Sequence, residues 1–362
     1  MWGDPGVSEQ TLILENNMFI PATTGGVTTM ALQRAGLLRR LRAFFYGTVA
    51  QSAATAAPSK SAHGSLGGAI LRFRVDANGR VPLVDLSGIG LMMYNEIQNR
   101  DGSPWATPQA IAANSLAQTT DLSVYTTPTT GATTYYDSYP FEIQFGLPVM
   151  LQGRQTELGL WLLQNQAIDL NVEITFNPAY VATGPFGAYN AGTGAAATWT
   201  VATSYVALER ELYSVPLDPK NYPNLSWAHQ VIEFSSPFTG YFSRFNIPRA
   251  GLILRVASVT LDGSNLVVDA SDISKMQWVY GSNETPISRP GWAMTNEFEM
   301  DYNRLPPKGL ALLDFYKWGE QGLKLVKNSE ELANLRLETT YTGTAAGTQK
   351  IIIDRLVPVA AR

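Results

Sequence analysis

Few residues in this chain can do chemistry, and their spacing limits what that chemistry is. There are two histidines, His63 and His229, and no cysteine. His63 falls in an Ala/Ser-rich stretch and His229 at the start of a strand-like run. A metal site on a β-fold needs a cluster of His and carboxylate ligands, and two isolated histidines do not build one. They leave as little for a Ser-His-Asp triad, so each is expected to be structural or solvent-facing. The lack of cysteine excludes disulfides, thiolate metal sites and cysteine nucleophiles together. Carboxylate pairs are the remaining route to hydrolysis, because a glycosidase needs only two. Glu297-x-Glu299-x-Asp301 alternates as on one face of a strand. Such stripes more commonly mark a solvated sheet face, and Glu142, Glu173 and Glu338, each opposite an apolar face, read the same way. The glycines at Gly25-Gly26, Gly67-Gly68 and Gly192/Gly194 lack the Lys-Ser/Thr of a phosphate loop. No catalytic, cofactor-binding or metal-ligating residue is therefore assigned, and no enzyme is expected. Trp105, Trp161, Trp199, Trp227, Trp278, Trp292 and Trp318 would suit a sugar-binding surface if exposed, although packing in a core or interface is the commoner use.

The elements that would carry these residues are organised by a repeat. Arg34-Ala35-Gly36-Leu37 recurs 215 residues later as Arg249-Ala250-Gly251-Leu252, and the same shift carries Arg40 onto Arg255 and Leu41 onto Val256. Upstream, Ile13-Leu14-Glu15 reads like Val231-Ile232-Glu233. Downstream, Asp169-Leu170-Asn171-Val172-Glu173 reads like Asn334-Leu335-Arg336-Leu337-Glu338. Three matches in one order predict a tandem duplication, which fixes the architecture before any single element is considered.

The totals agree with two units. The chain has 362 residues, long for one core and natural for two domains. Apolar residues make up 45% and charged residues 15%, which suits a surface hidden against neighbours. The net charge of −4 gives no reason to expect direct nucleic-acid binding. The first ten residues, MWGDPGVSEQ, have neither a basic nor an apolar region of the kind a secretory signal needs. No apolar run approaches the ~20 residues that cross a bilayer.

The expected division is an N-terminal arm at 1–10, a first unit at 11–214, a Pro-rich connector at 215–226 and a second unit at 227–362. Short strands separated by turn signals run through both units, which argues an all-β sandwich or barrel. Leu37–Tyr46 alternates with its odd positions apolar, Arg39 being the exception, and Arg40 and Arg42 on the other face. These arginines either pair with carboxylates or meet an anionic surface. Asn78-Gly79 marks a hairpin. Ile168–Phe176 is the cleanest strand, with Leu170, Val172, Ile174 and Phe176 on one side. Gly88–Ile97 is compatible with helix or strand, and short helices are expected at Pro108–Leu116 and Ser329–Ala333. Gln51–Gly68, Thr126–Thr134 and Gly184–Thr198 read as loops.

These stretches together resemble a family. Arg34–Tyr46 and its copy Arg249–Leu261, FRVDANGRVPLVDLSGIGLMMYN at Phe73–Asn95, LGLWLLQNQAIDLNVEITFNP at Leu158–Pro178, ELYSVPLDPKNYPNLSWAHQVIE at Glu211–Glu233 and LPPKGLALLDFY at Leu305–Tyr316 carry it. In order and spacing they resemble the double jelly-roll major capsid proteins of tailless icosahedral bacteriophages with an internal membrane, the tectivirus-like group. The resemblance implies two tandem eight-stranded jelly-roll sandwiches with long loop insertions and few short helices, standing upright on a capsid. It implies a homotrimer forming a pseudo-hexameric capsomer, made in the host cytoplasm and ending in the virion. Implied partners are neighbouring capsomers, penton and minor capsid proteins, and the internal membrane through base-facing loops or termini. No cofactor is implied. Two features depart from the family: the second half is shorter, and the arm is brief and acidic rather than a long basic helix, so the resemblance does not carry membrane contact over to this arm. The competing readings are a secreted carbohydrate-binding or adhesin-like sandwich pair, and a glycoside hydrolase using Glu297 or Glu299.

Overall fold

The computed structural model describes residues 10–14, 18–19, 27–51, 59–60, 70–79, 81–98, 133–151, 154–163, 169–176, 189–190, 199–215, 222–263, 267–281, 284–306, 309–317, 327–328 and 334–359. The first half contains β1 (Gln10–Leu14), β2 (Val27–Ala31), β3 (Leu37–Gln51), β4 (Ile70–Ala77), β5 (Val81–Leu86), α1 (Gly88–Gln98), β6 (Thr133–Gln144), the hairpin β7 (Leu147–Leu151) and β8 (Arg154–Leu158), β9 (Leu170–Phe176) and β10 (Trp199–Tyr213). The second contains β11 (Trp227–Thr239), β12 (Phe242–Asn246), β13 (Leu252–Asp262), β14 (Ile273–Tyr280), β15 (Glu284–Arg289), α2 (Gly291–Tyr302), β16 (Ala311–Asp314), β17 (Arg336–Tyr341) and β18 (Ala346–Pro358).

Each half is one jelly roll. In the first, one sheet runs β1-β10-β3-β6 and the other β2-β9-β4-β5, all antiparallel. In the second, the sheets run β11-β18-β13-β16 and β12-β17-β14-β15, again antiparallel. Eight strands in two Greek-key sheets define the fold. The β7/β8 hairpin is an addition to the first half.

The duplication extends to single residues. A shift of 215 carries β2 onto β12 and the start of β3 onto the start of β13. A shift of 203 carries β4 onto β14, β5 onto β15 and the first residue of α1 onto that of α2. The Leu32 amide donates to the Leu170 carbonyl at 2.9 Å, and its counterpart Ile247 donates to Leu335 at 2.9 Å. Gly36 and Gly251 both have positive φ, +70° and +62°. Each lies where a Cβ would press on the closing strand, 2.9 Å from the Tyr213 carbonyl oxygen and 2.0 Å from that of Leu356. Glycine tolerates both conditions, which explains why the repeat kept it.

The phase exception at Arg39 also has a structural cause. The β3–β10 register passes from Leu38 to Arg40 and skips Arg39, and the β13–β18 register skips Leu254, its counterpart 215 residues on. Each is a β-bulge, which re-aims the following side chains. Leu37, Leu38, Leu41 and Ala43 are consequently all buried. Alternation in β9 is regular, with Leu170, Val172, Ile174 and Phe176 buried. Burial of each such side chain contributes about 1.5–3 kcal/mol.

Several sequence expectations change. Glu297, Glu299 and Asp301 lie on helix α2, not on a strand, because Met294, Phe298 and Tyr302 recur every four residues and are buried. Gly88–Ile97 is helical, and nearly every residue of it is buried. Thr133 and Thr134 already belong to β6, and Ser59–Lys60 pairs with Tyr189–Asn190 inside two stretches expected to be loops. His63, the expected helices at Pro108–Leu116 and Ser329–Ala333, residues 1–9 of the arm and 216–221 of the connector lie outside the described residues.

Gly251→Ala should lower the thermal midpoint clearly more than Gly240→Ala. Gly240 also has positive φ, +77°, but nothing lies within 4 Å of its Cβ position. Its substitution should cost only the left-handed penalty of about 1–2 kcal/mol, whereas Gly251→Ala must also move the backbone of β18. Thermal unfolding followed by circular dichroism measures both.

Candidate functional site at the junction of the two sandwiches

The chemistry-bearing residues gather where the sandwiches meet. Among the described residues, the backbone ladder across the seam is a short parallel one, Val84 with Val231 and Asp85 with Ile232, joining β5 to β11. Side chains do the rest. One apolar cluster runs through the seam, from Phe73, Leu91 and Met93 of the first half to Ala257, Val259 and Ile352 of the second. A second joins Leu147, Val149 and Leu158 of the β7/β8 hairpin to Leu254, Tyr316 and Leu356.

Helix α1 lies along this seam and has no acidic residue in its first turn and no basic residue in its last. Helix ends leave unpaired amides and carbonyls, with partial positive charge at the start and negative at the finish. The second sandwich meets both. At the start, the Glu233 carboxylate of β11 accepts from the Ser87 amide at 2.8 Å and the Ser87 hydroxyl at 2.6 Å. A Cβ on Gly90 would lie 2.1 Å from that carboxylate, so the close approach needs glycine there. At the finish, Arg255 Nη1 donates to the Ile97 carbonyl at 2.9 Å and Arg304 Nη2 to the Glu96 carbonyl at 2.6 Å. Arg304 also pairs with the Glu96 carboxylate. Within the first half, Asn95 ties the helix to β6 by accepting from the Glu142 amide at 2.8 Å.

Arg255 is held by Asp354, to which its Nε donates at 2.7 Å. The other Asp354 oxygen lies 2.5 Å from His229 Nε2, and His229 Nδ1 faces the Gln144 carbonyl at the end of β6. Arg255 and Asp354 are wholly buried and His229 nearly so. Burial would push the Asp354 carboxyl up, but Arg255 and His229 outweigh it and hold it below the ordinary carboxylate value. Both His229 ring nitrogens face acceptors, so neither is available to take a proton from a substrate. The three residues Arg255, Asp354 and His229 thus read as a latch that grips the Ile97 and Gln144 carbonyls of the neighbouring sandwich. Spacing could not reveal it, since His229 and Asp354 come from the first and last strands of the half. The repeat held a signal for Arg255, because it aligned that residue with Arg40.

That alignment extends to the partner. Arg40 Nε lies 2.8 Å from Glu211 Oε2, and Arg40–Glu211 is the β3–β10 pair that corresponds to Arg255–Asp354 in β13–β18. The arginine cluster of β3 is paired with carboxylates throughout: Arg39 with Glu157 at 3.1 Å and with Glu211, Arg40 and Arg42 with Glu142 at 2.7 and 3.2 Å. Burial raises the Glu157 carboxyl above its usual range despite Arg39 and the Tyr213 hydroxyl. Glu338, expected on a solvated face, pairs with Arg336 at 2.7 Å and Arg244 at 3.0 Å. Glu297 and Asp301 both reach Lys317, at 3.6 and 3.0 Å, and Glu297 also reaches Arg289 at 3.4 Å. They form a surface ion-pair set with these two cations. No group of three or more potential metal ligands occurs among the described residues, and no described helix is long and apolar enough to cross a membrane.

No protein-family model and no curated relative matches the sequence. Solved structures match over nearly the whole chain. The MCP of the Sulfolobus turreted icosahedral virus superposes with a TM-score of 0.67 at 14% identity, covering 98% of this chain and 100% of that one. VP54 of PBCV-1, fitted into a reconstruction of the virophage Sputnik, gives 0.62 at 9% identity, with 96% and 93% covered. The major capsid protein P2 of bacteriophage PM2 gives 0.55 at 13% identity, with 98% and 99% covered. The fold of this chain is the double jelly roll of those proteins.

Asp354→Asn should cost about 3–5 kcal/mol, because it strands the buried Arg255 without a counter-charge. Arg34→Ala should cost at most about 1 kcal/mol, since its pair with Asp169 is half exposed. Asp354, held below its unfolded value, contributes stability that is complete above that value and is lost as pH falls through the folded one. The acid limb of the wild-type stability curve should therefore steepen below the ordinary aspartate range, and Asp354→Asn should remove that part. Urea titrations across pH test both statements.

Proposed function

We propose that this chain is a structural protein, the major capsid protein of an icosahedral virion of the tailless, internal-membrane bacteriophage type. Three copies close into a ring of six sandwiches, a pseudo-hexameric capsomer, and capsomers tile the shell. The observation that carries this reading is the tandem itself. Two sandwiches of the same strand order are fused through a seam that uses the β5 edge of one and the β11 edge of the other. The fold shared with viral major capsid proteins supports it. A repeated head-to-tail contact makes a ring when its rotation closes, and six sandwiches from three chains is the smallest way to give one gene a hexagonal tile. Assembly partners are neighbouring capsomers, penton and minor capsid proteins, and the internal membrane through base-facing loops or termini. The protein is made in the host cytoplasm and ends in the capsid. The units are the arm at 1–10, the first jelly roll at 11–214, the connector at 215–226 and the second jelly roll at 227–362.

His229, with both nitrogens engaged, and the Lys317-bound carboxylates support a non-catalytic role. The carbohydrate-binding alternative would rest on Trp292, which is exposed, while Trp278 is fully buried and Trp161 and Trp227 are partly buried. Glycan-array binding lost in Trp292→Ala would favour that alternative.

Light scattering of the purified chain at micromolar concentration should give the mass of a trimer, and negative-stain images should show plates of hexagonal outline. A stable monomer at that concentration would count decisively against the capsid reading.

A further inference from the structure

The junction inside one chain serves as a template for the contact between chains. Sandwich one presents β5 and α1 to sandwich two, which receives them with β11 and Arg255. The residue-level repeat gives sandwich two its own copies of the presenting parts, β15 and α2, and gives sandwich one its own copies of the receiving parts, β1 and Arg40. Among the described residues β15 pairs only with β14, and β1 only with β10. Among the described residues both edges that correspond to the seam thus have one strand partner and no second.

The outward face of α2 has the character of an interface. Counting from the helix starts, Trp292 and Met300 correspond to Ile89 and Ile97. In α1 these positions are buried in the apolar cluster that spans both sandwiches, at 6% and 0% exposure; in α2 they are 65% and 85% exposed. Pro290 gives α2 no side-chain cap at its start, and the last turn holds no basic residue. Apolar exposure at the two positions whose counterparts are buried in α1, next to an edge strand whose counterpart joins the intramolecular seam, fits a second copy of this chain.

We infer that β15 of one copy adds in parallel to β1 of the next, with Ile287 opposite Leu12 and Ser288 opposite Ile13. The outer face of α2, through Trp292 and Met300, covers the same neighbour, and Arg40 of that neighbour comes to the C-terminal turn of α2. The register follows from the intramolecular pairs Val84–Val231 and Asp85–Ile232, carried over by the shift of 203 and by the strand pairs Leu12–Glu211 and Val231–Asp354, which occupy the same place in the two halves. This placement rests on the trimer proposed above, and it specifies which strands and which register join the copies.

Residues opposite one another on neighbouring strands are about 4.8 Å apart, within the span of a disulfide. The chain has no cysteine of its own. The double variant Ile13→Cys/Ser288→Cys, oxidised under mild conditions, should run on a denaturing gel as a covalent trimer, and each single variant should not. Met300→Glu, at an exposed position, should raise the concentration of half-assembly roughly tenfold or more while leaving the monomer's thermal midpoint unchanged. Trimers by light scattering without the cross-link would overturn this register and leave the trimer standing. A covalent ladder beyond three would support the strand contact and overturn ring closure. Monomers without cross-links would overturn both.

Discussion

Helix α1 is the part on which the arrangement of the molecule depends. It carries almost no polar face, and neither of its ends is completed by charge from its own sequence. A helix of that kind is stable only when other elements cover it all round and complete its termini. Here the covering comes from β6 on one side and from β13 and β18 on the other. The completing groups, Glu233 at one end and Arg255 and Arg304 at the other, have the signs that the peptide dipoles require. The two sandwiches are thus held in register by shared satisfaction of one helix, more than by the short backbone ladder beside it.

The duplication shows how one inherited ion pair took on two tasks. Arg40 with Glu211 and Arg255 with Asp354 occupy the same place after the same bulge. The first pair stays partly solvated and joins a surface network with Glu142. The second is wholly buried and has acquired His229. Burying such a pair gains little net stability, since desolvation offsets the attraction. What it adds is direction: Arg255 and His229 each spend a remaining hydrogen on a carbonyl of the other sandwich, which only one docking geometry satisfies.

Much of the architecture was legible in the sequence because glycine with positive φ and the paired arginine cannot drift freely. That is why Arg34–Leu37 and Arg249–Leu252 still matched and marked the start of the same strand in each half. The equally regular shift of 203 was not legible. Ile70–Ala77 and Ile273–Tyr280 share a first residue and little else, because a sheet position asks only for burial or exposure. The acidic stripe at 297–301 was misread since its period of two was noticed and the buried period of four at Met294, Phe298 and Tyr302 was not. The latch was invisible for another reason. Asp354 lies 125 residues from His229, and only the folded chain brings them to the Gln144 and Ile97 carbonyls.

The ladder between β5 and β11 spans just two residue pairs. Torsional stiffness of a strand junction grows with its length, so the backbone alone makes a supple joint here. Resistance to bending passes instead to a rod clamped at both tips, by Glu233 at one end and by Arg255 and Arg304 at the other. Load pressed along that rod is carried by its axial hydrogen bonds, while load applied across it falls on the clamps. The rigidity of the fused pair is in this sense a chemical property of those clamps as well as a geometric property of its sheets.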